Sequence, residues 1–314
     1  MPRAEAELAS DTQTMVTVER LTRWEEGLAP LVEESRALPG VPEREARKFQ
    51  AWVDWMVDQI RHLEMPALVA RDGRVPIGLV GYDRKGHVAR VSYLYLRSDH
   101  HVCLPAFLHA AESVWRPARR VVIRGGPQTL LDEALGAEGF LAAGYERFER
   151  ARLERSLAEP VPAAPDPDII RLPIHEDEEL TRLQVEGYAG SPDAMLIDDL
   201  AEMTHELLGD PWLAPELSFA IRQDGRLAAA LYTFRKGPLA WVASVCVAPW
   251  ARGGGLARRI MAHALSEYRA AGFQRAGLHV TLSNEPAMRL YERLGFEIVE
   301  RRSLLYARTL EEAP

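Results

Sequence analysis

The chain has 314 residues, of which 47% are apolar and 27% charged, with a formal net charge of −8. That composition belongs to a folded globular protein rather than a disordered one, and the length suits two domains of about 150 residues each. The acidic balance argues against a nucleic-acid binder, which presents a basic face to phosphates, and no apolar run approaches the roughly 18 residues of a membrane-spanning helix.

The first residues, MPRAEAELASDTQTM, have no apolar core and do not read as a signal peptide. Cys103 and Cys246 are the only cysteines and lack zinc-ligand spacing. The expectation is a cytoplasmic protein, monomer or homodimer, with no membrane or nucleic-acid partner.

In chain order, Met15–Leu21 is predicted as a strand, and Trp24–Leu38 and Pro42–Leu63 as helices. A hairpin follows at Ala67–Arg71 and Pro76–Tyr82 around Asp72-Gly73. Val88–Leu96 reads as a strand, Pro105–Trp115 as a helix, Arg120–Arg124 as a strand, Gln128–Ala137 as a helix and Tyr145–Leu153 as a strand. Then comes Leu157–Asp168, LAEPVPAAPDPD, whose four prolines remove backbone donors and favour an extended linker.

Beyond it the same order recurs. Asp168–Leu172 is a short strand, and His175–Tyr188 and Leu196–Leu208 are helices. Glu216–Arg222 and Leu227–Phe234 form a hairpin around Gln223-Asp224-Gly225. Trp241–Val247 is a strand, Arg252–Gly255 a glycine-rich loop and Leu256–Ala271 a helix. Ala276–Thr281, Glu285–Leu294 and Phe296–Thr309 complete the chain as strand, helix and strand. The turns match, RDGR and then QDGR, and each half has a late Gly-Phe, at Gly139-Phe140 and Gly295-Phe296. This is an α/β chain with a mixed sheet, read as an internal duplication with domains at 1–156 and 168–314 and a linker at 157–167.

Chemistry concentrates in SVCVAPWARGGGLARRIMAHAL, Ser244–Leu265. Glycines let the backbone approach a ligand closely, and the N-terminus of the following helix offers unpaired N–H groups and partial positive charge to an anion. No Lys-Ser or Lys-Thr follows, as a P-loop requires, and Arg258 breaks the dinucleotide fingerprint. Arg252-Gly253-Gly254-Gly255-Leu256-Ala257 does fit Arg/Gln-x-x-Gly-x-Gly/Ala. A second pattern, Asn-x-x-Ala-x-x-Leu-Tyr-x-x-x-Gly-Phe, is met by Asn284, Ala287, Leu290, Tyr291, Gly295 and Phe296.

On these two motifs the chain resembles the GCN5-related N-acetyltransferase (GNAT) family, and its plan is similar to that of tandem two-domain members of that family. The resemblance covers 168–310 in motif and 15–153 in outline only. It implies a mixed sheet that opens to admit acetyl-CoA. The pantetheine arm would lie on the backbone of Val245, Cys246 and Val247, and the pyrophosphate on Arg252–Ala257 with Arg258 beside it. Asn284 would contact the cofactor arm and Tyr291 would stand near the thioester sulfur as general acid. His279 lies where some relatives carry a glutamate base, and histidine titrates in the useful range. Glu186, Asp198, Asp199, Glu202, His205 and Glu206 form an acidic group suited to attracting a cationic amine.

The first half has no glycine between Val88 and Trp115. It also carries Gln128, Leu135 and Ile123 opposite Asn284, Tyr291 and His279, so the N-terminal domain is expected to be degenerate. His100, His101 and Cys103 lack a fourth metal ligand. The expected activity is acetyl transfer from acetyl-CoA to a primary amine of a small molecule. The alternatives are acetylation of a protein N-terminus or lysine, and a non-catalytic acyl-CoA sensor or scaffold.

Overall fold

A computed structural model describes residues 16–36, 43–116, 118–124, 136–159, 166–175, 177–197 and 199–310. The chain divides into two compact units, one of residues up to 149 together with those from 302, the other of residues 150–301.

In the first unit, β1 (Val16–Arg20), β2 (Ala67–Asp72), β3 (Val75–Lys85) and β4 (Val88–Leu96) pair antiparallel in sequence order, and β5 (Arg120–Arg124) joins β4 in parallel. Alternation along β2 sends Ala67 and Val69 to one face and Leu68 and Ala70 to the other. The first face packs on α1 (Ala29–Arg36) and α2 (Glu43–Arg61) through Leu31, Phe49, Met56 and Ile60. The second packs on α3 (Leu104–Trp115) and α4 (Ala137–Ala142) through Phe107, Trp115 and Phe140. The predicted helix at Gln128–Ala137 lies almost wholly outside the described residues, as do Gln128 and Leu135. Ile123 is buried in the core.

The second unit repeats the plan. β7 (Ile169–Arg171), β8 (Phe219–Gln223), β9 (Arg226–Lys236) and β10 (Leu239–Val247) are antiparallel neighbours, and β11 (Arg275–Thr281) joins β10 in parallel. The β8–β9 turn places Asp224 and Gly225 at φ +51° and +76°, which asparagine, aspartate and glycine tolerate best. Its helices are α5 (Asp177–Tyr188), α6 (Leu200–Gly209), α7 (Leu256–Ala270) and α8 (Glu285–Arg293). The predicted helix Leu196–Leu208 starts later, as α6 at Leu200, and Leu196 is the last residue of a separate 3-10 turn at Pro192–Leu196. Asp199 divides them, because its side chain caps the N–H groups of Ala201 and Glu202.

The division differs from the sequence reading at the last strand of each half. In β6 (Glu146–Ser156), Arg150–Ser156 pair antiparallel with β11, and Ala151 and Leu153 sit in the core of the second unit. In β12 (Glu297–Thr309), Leu305–Thr309 pair antiparallel with β5 of the first. Each half thus lends its last strand to the other unit. Arg308 secures that strand by donating to Glu112 Oε1 at 3.0 Å and to the Ala143 carbonyl at 2.5 Å. Chain order alone does not reveal which open edge a strand will close. No helix among the described residues is long and apolar enough to cross a membrane.

Leu153 belongs to the first half of the sequence and to the second unit's core, so Leu153→Ala is expected to cost about 2–5 kcal/mol, as a buried leucine does. Urea denaturation measures it, and a loss below about 1 kcal/mol would contradict this placement.

Candidate active site

The site begins where β10 and β11 stop pairing. Their ladder runs from Leu239–Arg275 to Val242–Leu278, and the register of β10 on β9 then shifts between Val242 and Ser244. Past this bulge, among the described residues, β10 pairs with β9 alone. The Ala248 N–H donates to the Ala228 carbonyl, so by the alternation of an antiparallel ladder Cys246 also faces β9. Val245 and Val247 direct their backbone groups the other way, into a cleft.

That cleft has a volume of about 430 Å³. Val245, Cys246 and Val247 form one wall, while Ser283, Asn284, Leu290 and Tyr291 form the opposite one. Arg252, Ala257, Gly187 and Gly190–Pro192 also line it. Among the residues expected from the sequence, these include the strand 245–247, Arg252, Ala257, Asn284 and Tyr291.

Ser244, at the bulge, is buried and held by α5. Gln184 Nε2 donates to its Oγ at 3.1 Å, and the Tyr188 hydroxyl lies 3.0 Å from it. Buried polar groups of this kind are costly unless satisfied, so the triad fixes the bulge to the helix. One turn along, Gly187 allows the closest approach. A Cβ there would lie 2.9 Å from Cys246 Cβ and 3.5 Å from the Val247 carbonyl. Burial pushes the Cys246 thiol up to about 12, which keeps it protonated and unreactive.

The glycine loop has the form expected of an anion cradle. Gly253 and Gly255 take φ +83° and +74°, and nothing lies within 4 Å of a Cβ built on either. Gly255 is the N-cap of α7, so the first N–H groups of that helix are left without intrahelical partners. Arg252 Nη2 donates to the Gly187 carbonyl at 2.8 Å, where the negative end of α5 suits a cation. Leu256 is buried and Arg258 is exposed. Arg259 Nε and Nη2 grip Asp166, each at 2.7 Å, holding the carboxylate below its usual range, and Nη2 also reaches Asp168 at 2.7 Å. The end of the proline-rich segment is therefore pinned to α7.

Asn284 caps α8 by accepting from the Ala287 N–H at 3.3 Å and donates to Asp193 Oδ2 at 3.0 Å. Thr281 Oγ1 donates to the other oxygen of Asp193 at 2.6 Å. Tyr291 is buried at the cleft wall, edge-on to Phe296. Burial raises its phenol above the ordinary value near 10, and Tyr188 and Asp193 add to the effect. It keeps its proton throughout the neutral range.

His279 does not line the cleft. Its ring stands edge-on to Trp241, with centroids 4.6 Å apart, on the sheet face that also carries Thr281. Glu186 and His205 line a separate outward groove between α5 and α6, Asp199 is a helix cap, and Asp198 falls outside the described residues. No group of three or more metal-type ligands occurs among the described residues.

Sequence reasoning missed Gly187, Gln184, Tyr188, Asp193 and Ser244. Gly187 carried a signal, as an isolated glycine in a helical pattern, and Ser244 opened the segment singled out above without being given a role.

Residues 183–296 match the model of the acetyltransferase (GNAT) family. A mycothiol acetyltransferase of Thermomonospora curvata is 30% identical over 298 residues, 91% of this chain and 89% of that protein. One of Thermobispora bispora is 32% identical over 179 residues, 52% of this chain and 59% of that protein. A GCN5-related N-acetyltransferase of Sphaerobacter thermophilus shares the fold at TM-score 0.53 and 17% identity, over 95% of this chain and 97% of that one.

Adding a methyl at Gly187 sets a helix-propensity gain of about 1 kcal/mol against an overpacking cost of about 1–3 kcal/mol. The approach to backbone and Cβ decides for the cost, so Gly187→Ala is expected to lower the Tm by a few degrees. An unchanged or raised Tm in a thermal melt would contradict the contact.

Proposed function

The chain belongs to the GNAT acetyltransferase family, and from that membership we propose that it transfers an acetyl group from acetyl-CoA to a primary amine of a small molecule, with Tyr291 as general acid. The observation that carries this reading is the cleft between β10 and β11, which has open backbone groups on one wall and a protonated buried phenol on the other.

The residues present fit acetyl-CoA. Val245 and Val247 offer N–H and C=O groups to the amides of a pantetheine arm. Gly253 and Gly255 leave room for a pyrophosphate that a Cβ would narrow, and the α7 N-terminus supplies donors and partial positive charge. Arg258, exposed on the first turn of α7, adds a cation there. Asn284 stands on the facing wall, with its side chain committed to the α8 cap and to Asp193, so its part is to hold that wall in place.

Acetyl-CoA supplies the acyl group as a thioester, whose C–S bond breaks as the C–N bond forms and whose sulfur then requires a proton. Tyr291 holds that proton in the hydroxyl, and desolvation keeps it there until needed. The Val247 N–H, directed into the cleft, is placed to polarise a carbonyl oxygen. The amine must lose a proton in turn. His279 is our candidate to receive it through water, since it shares a sheet face with Thr281, which is bonded to Asp193 beside the cleft.

A buried phenol at the cleft wall favours an enzyme over a sensor, because binding alone has no use for a proton donor. The relatives are named mycothiol acetyltransferase, so a mycothiol-forming reaction is the first acceptor assay to run.

Tyr291→Phe removes the proton and keeps the ring. It is expected to lower kcat about 100-fold or more while acetyl-CoA affinity stays within about twofold. Since burial raises the phenol pKa, the wild-type kcat profile is expected to show no loss from Tyr291 ionisation below about pH 10. An unaltered kcat in the variant would remove Tyr291 from the mechanism.

A further inference from the structure

The strand that the first half lends to the active unit carries two arginines. Arg150 is the cross-strand partner of Thr281, and Arg152 of His279. Direct partners share a face, so both guanidinium groups rise on the face of Thr281 and His279, while Ala151 and Leu153 point into the core. Arg150 Nη2 lies 3.6 Å from Asp193 Oδ1, and Asp193 bonds Asn284 at the cleft wall. The pair therefore begins one side chain away from the cleft.

Their carboxylate neighbours are already shared. Asp193 accepts from Thr281 and Asn284 before Arg150. Glu154 stands 3.2 Å from Arg152 and 2.7 Å from Arg275, and Glu300 is 3.6 Å from Arg152 Nε. About a third of each arginine side chain is exposed, 31% and 34%, yet the Nε atom of each is buried with no hydrogen bond among the described residues. Arginine's planar fork suits a carboxylate or phosphate, and two such forks about 7 Å apart along one strand face can converge on one oxyanion.

We propose that Arg150 and Arg152 form an oxyanion-recognising acceptor subsite, so that the amine substrate also carries a carboxylate or phosphate group. This rests on the amine-acetylation reading given above. It gives the first half of the sequence a part in substrate choice, through a strand that belongs to the active unit.

The test is calorimetric titration of matched amines into the full chain saturated with CoA. Glucosamine 6-phosphate is compared with glucosamine, and 4-aminobutyrate with butylamine. The anionic member of one pair is expected to bind at least tenfold more tightly, the pair showing which oxyanion is preferred. The double variant Arg150→Gln, Arg152→Gln should erase the difference and leave CoA affinity unchanged. Arg150→Lys with Arg152→Lys, which keeps the charge and loses the fork, should fall between.

Equal affinities within both pairs, no binding by either anionic amine, or a preference that survives in a CoA-binding double variant would each overturn the proposal. The wild-type comparison decides even if the double variant does not fold. Failure of wild type to bind CoA would sink the parent reading, and this one with it.

Discussion

The site depends on one interruption in a β-ladder. After Val242 the strand β10 shifts register on β9, and among the described residues its pairing with β11 ends at Leu278. A parted ladder normally leaves backbone donors and acceptors without partners, which is unfavourable wherever water is excluded. Here the parted stretch borders a cleft lined by Val245, Cys246 and Val247. The bulge is held open by buried polar contacts, with Ser244 bonded to Gln184 and Tyr188 of α5.

The rest of the site follows from that geometry. Gly187 brings the end of α5 onto Cys246, and Arg252 ties the glycine loop to the same helix end. Across the gap, Asp193 joins the segment after α5 to Thr281 and Asn284, fixing the wall from which Tyr291 projects. Arg259, gripping Asp166 and Asp168, sets the first turn of α7 against the end of the proline-rich segment. Local choices and the global arrangement agree throughout, which is how a sequence specifies one structure.

Much of this was legible in the residues. Strand alternation, hairpin turns at RDGR and QDGR, and the glycines before α7 indicated the order of elements in the second half and of the first half's strands, because each rests on local backbone chemistry. Helix α4 was not foreseen, and the helix expected at Gln128–Ala137 lies almost wholly outside the described residues. Val245–Val247, Arg252, Ala257, Asn284 and Tyr291 do gather around one cleft. What escaped were relations between distant residues. Nothing within β6 says that Arg150–Ser156 will pair with β11, and nothing within β12 says that Leu305–Thr309 will pair with β5. Asp193 and Tyr188 looked like ordinary polar residues near a helix end until the fold set them beside Asn284 and Ser244. His279 was singled out by its strand position, and it shares a sheet face with Thr281 without lining the cleft. The acidic residues of α5 and α6 looked like one group, yet Glu186 and His205 face an outer groove and Asp199 caps a helix.

The central claim is that the parted strands and the glycine loop make a single acetyl-CoA site in the second unit. Calorimetric titration of acetyl-CoA into the intact chain and a Gly255→Glu variant tests it directly. The variant places a carboxylate and a strained positive φ where the pyrophosphate would lie. The account requires one site per chain in the wild type and its loss in a variant that still folds. Two sites, or undiminished binding in the variant, would contradict it.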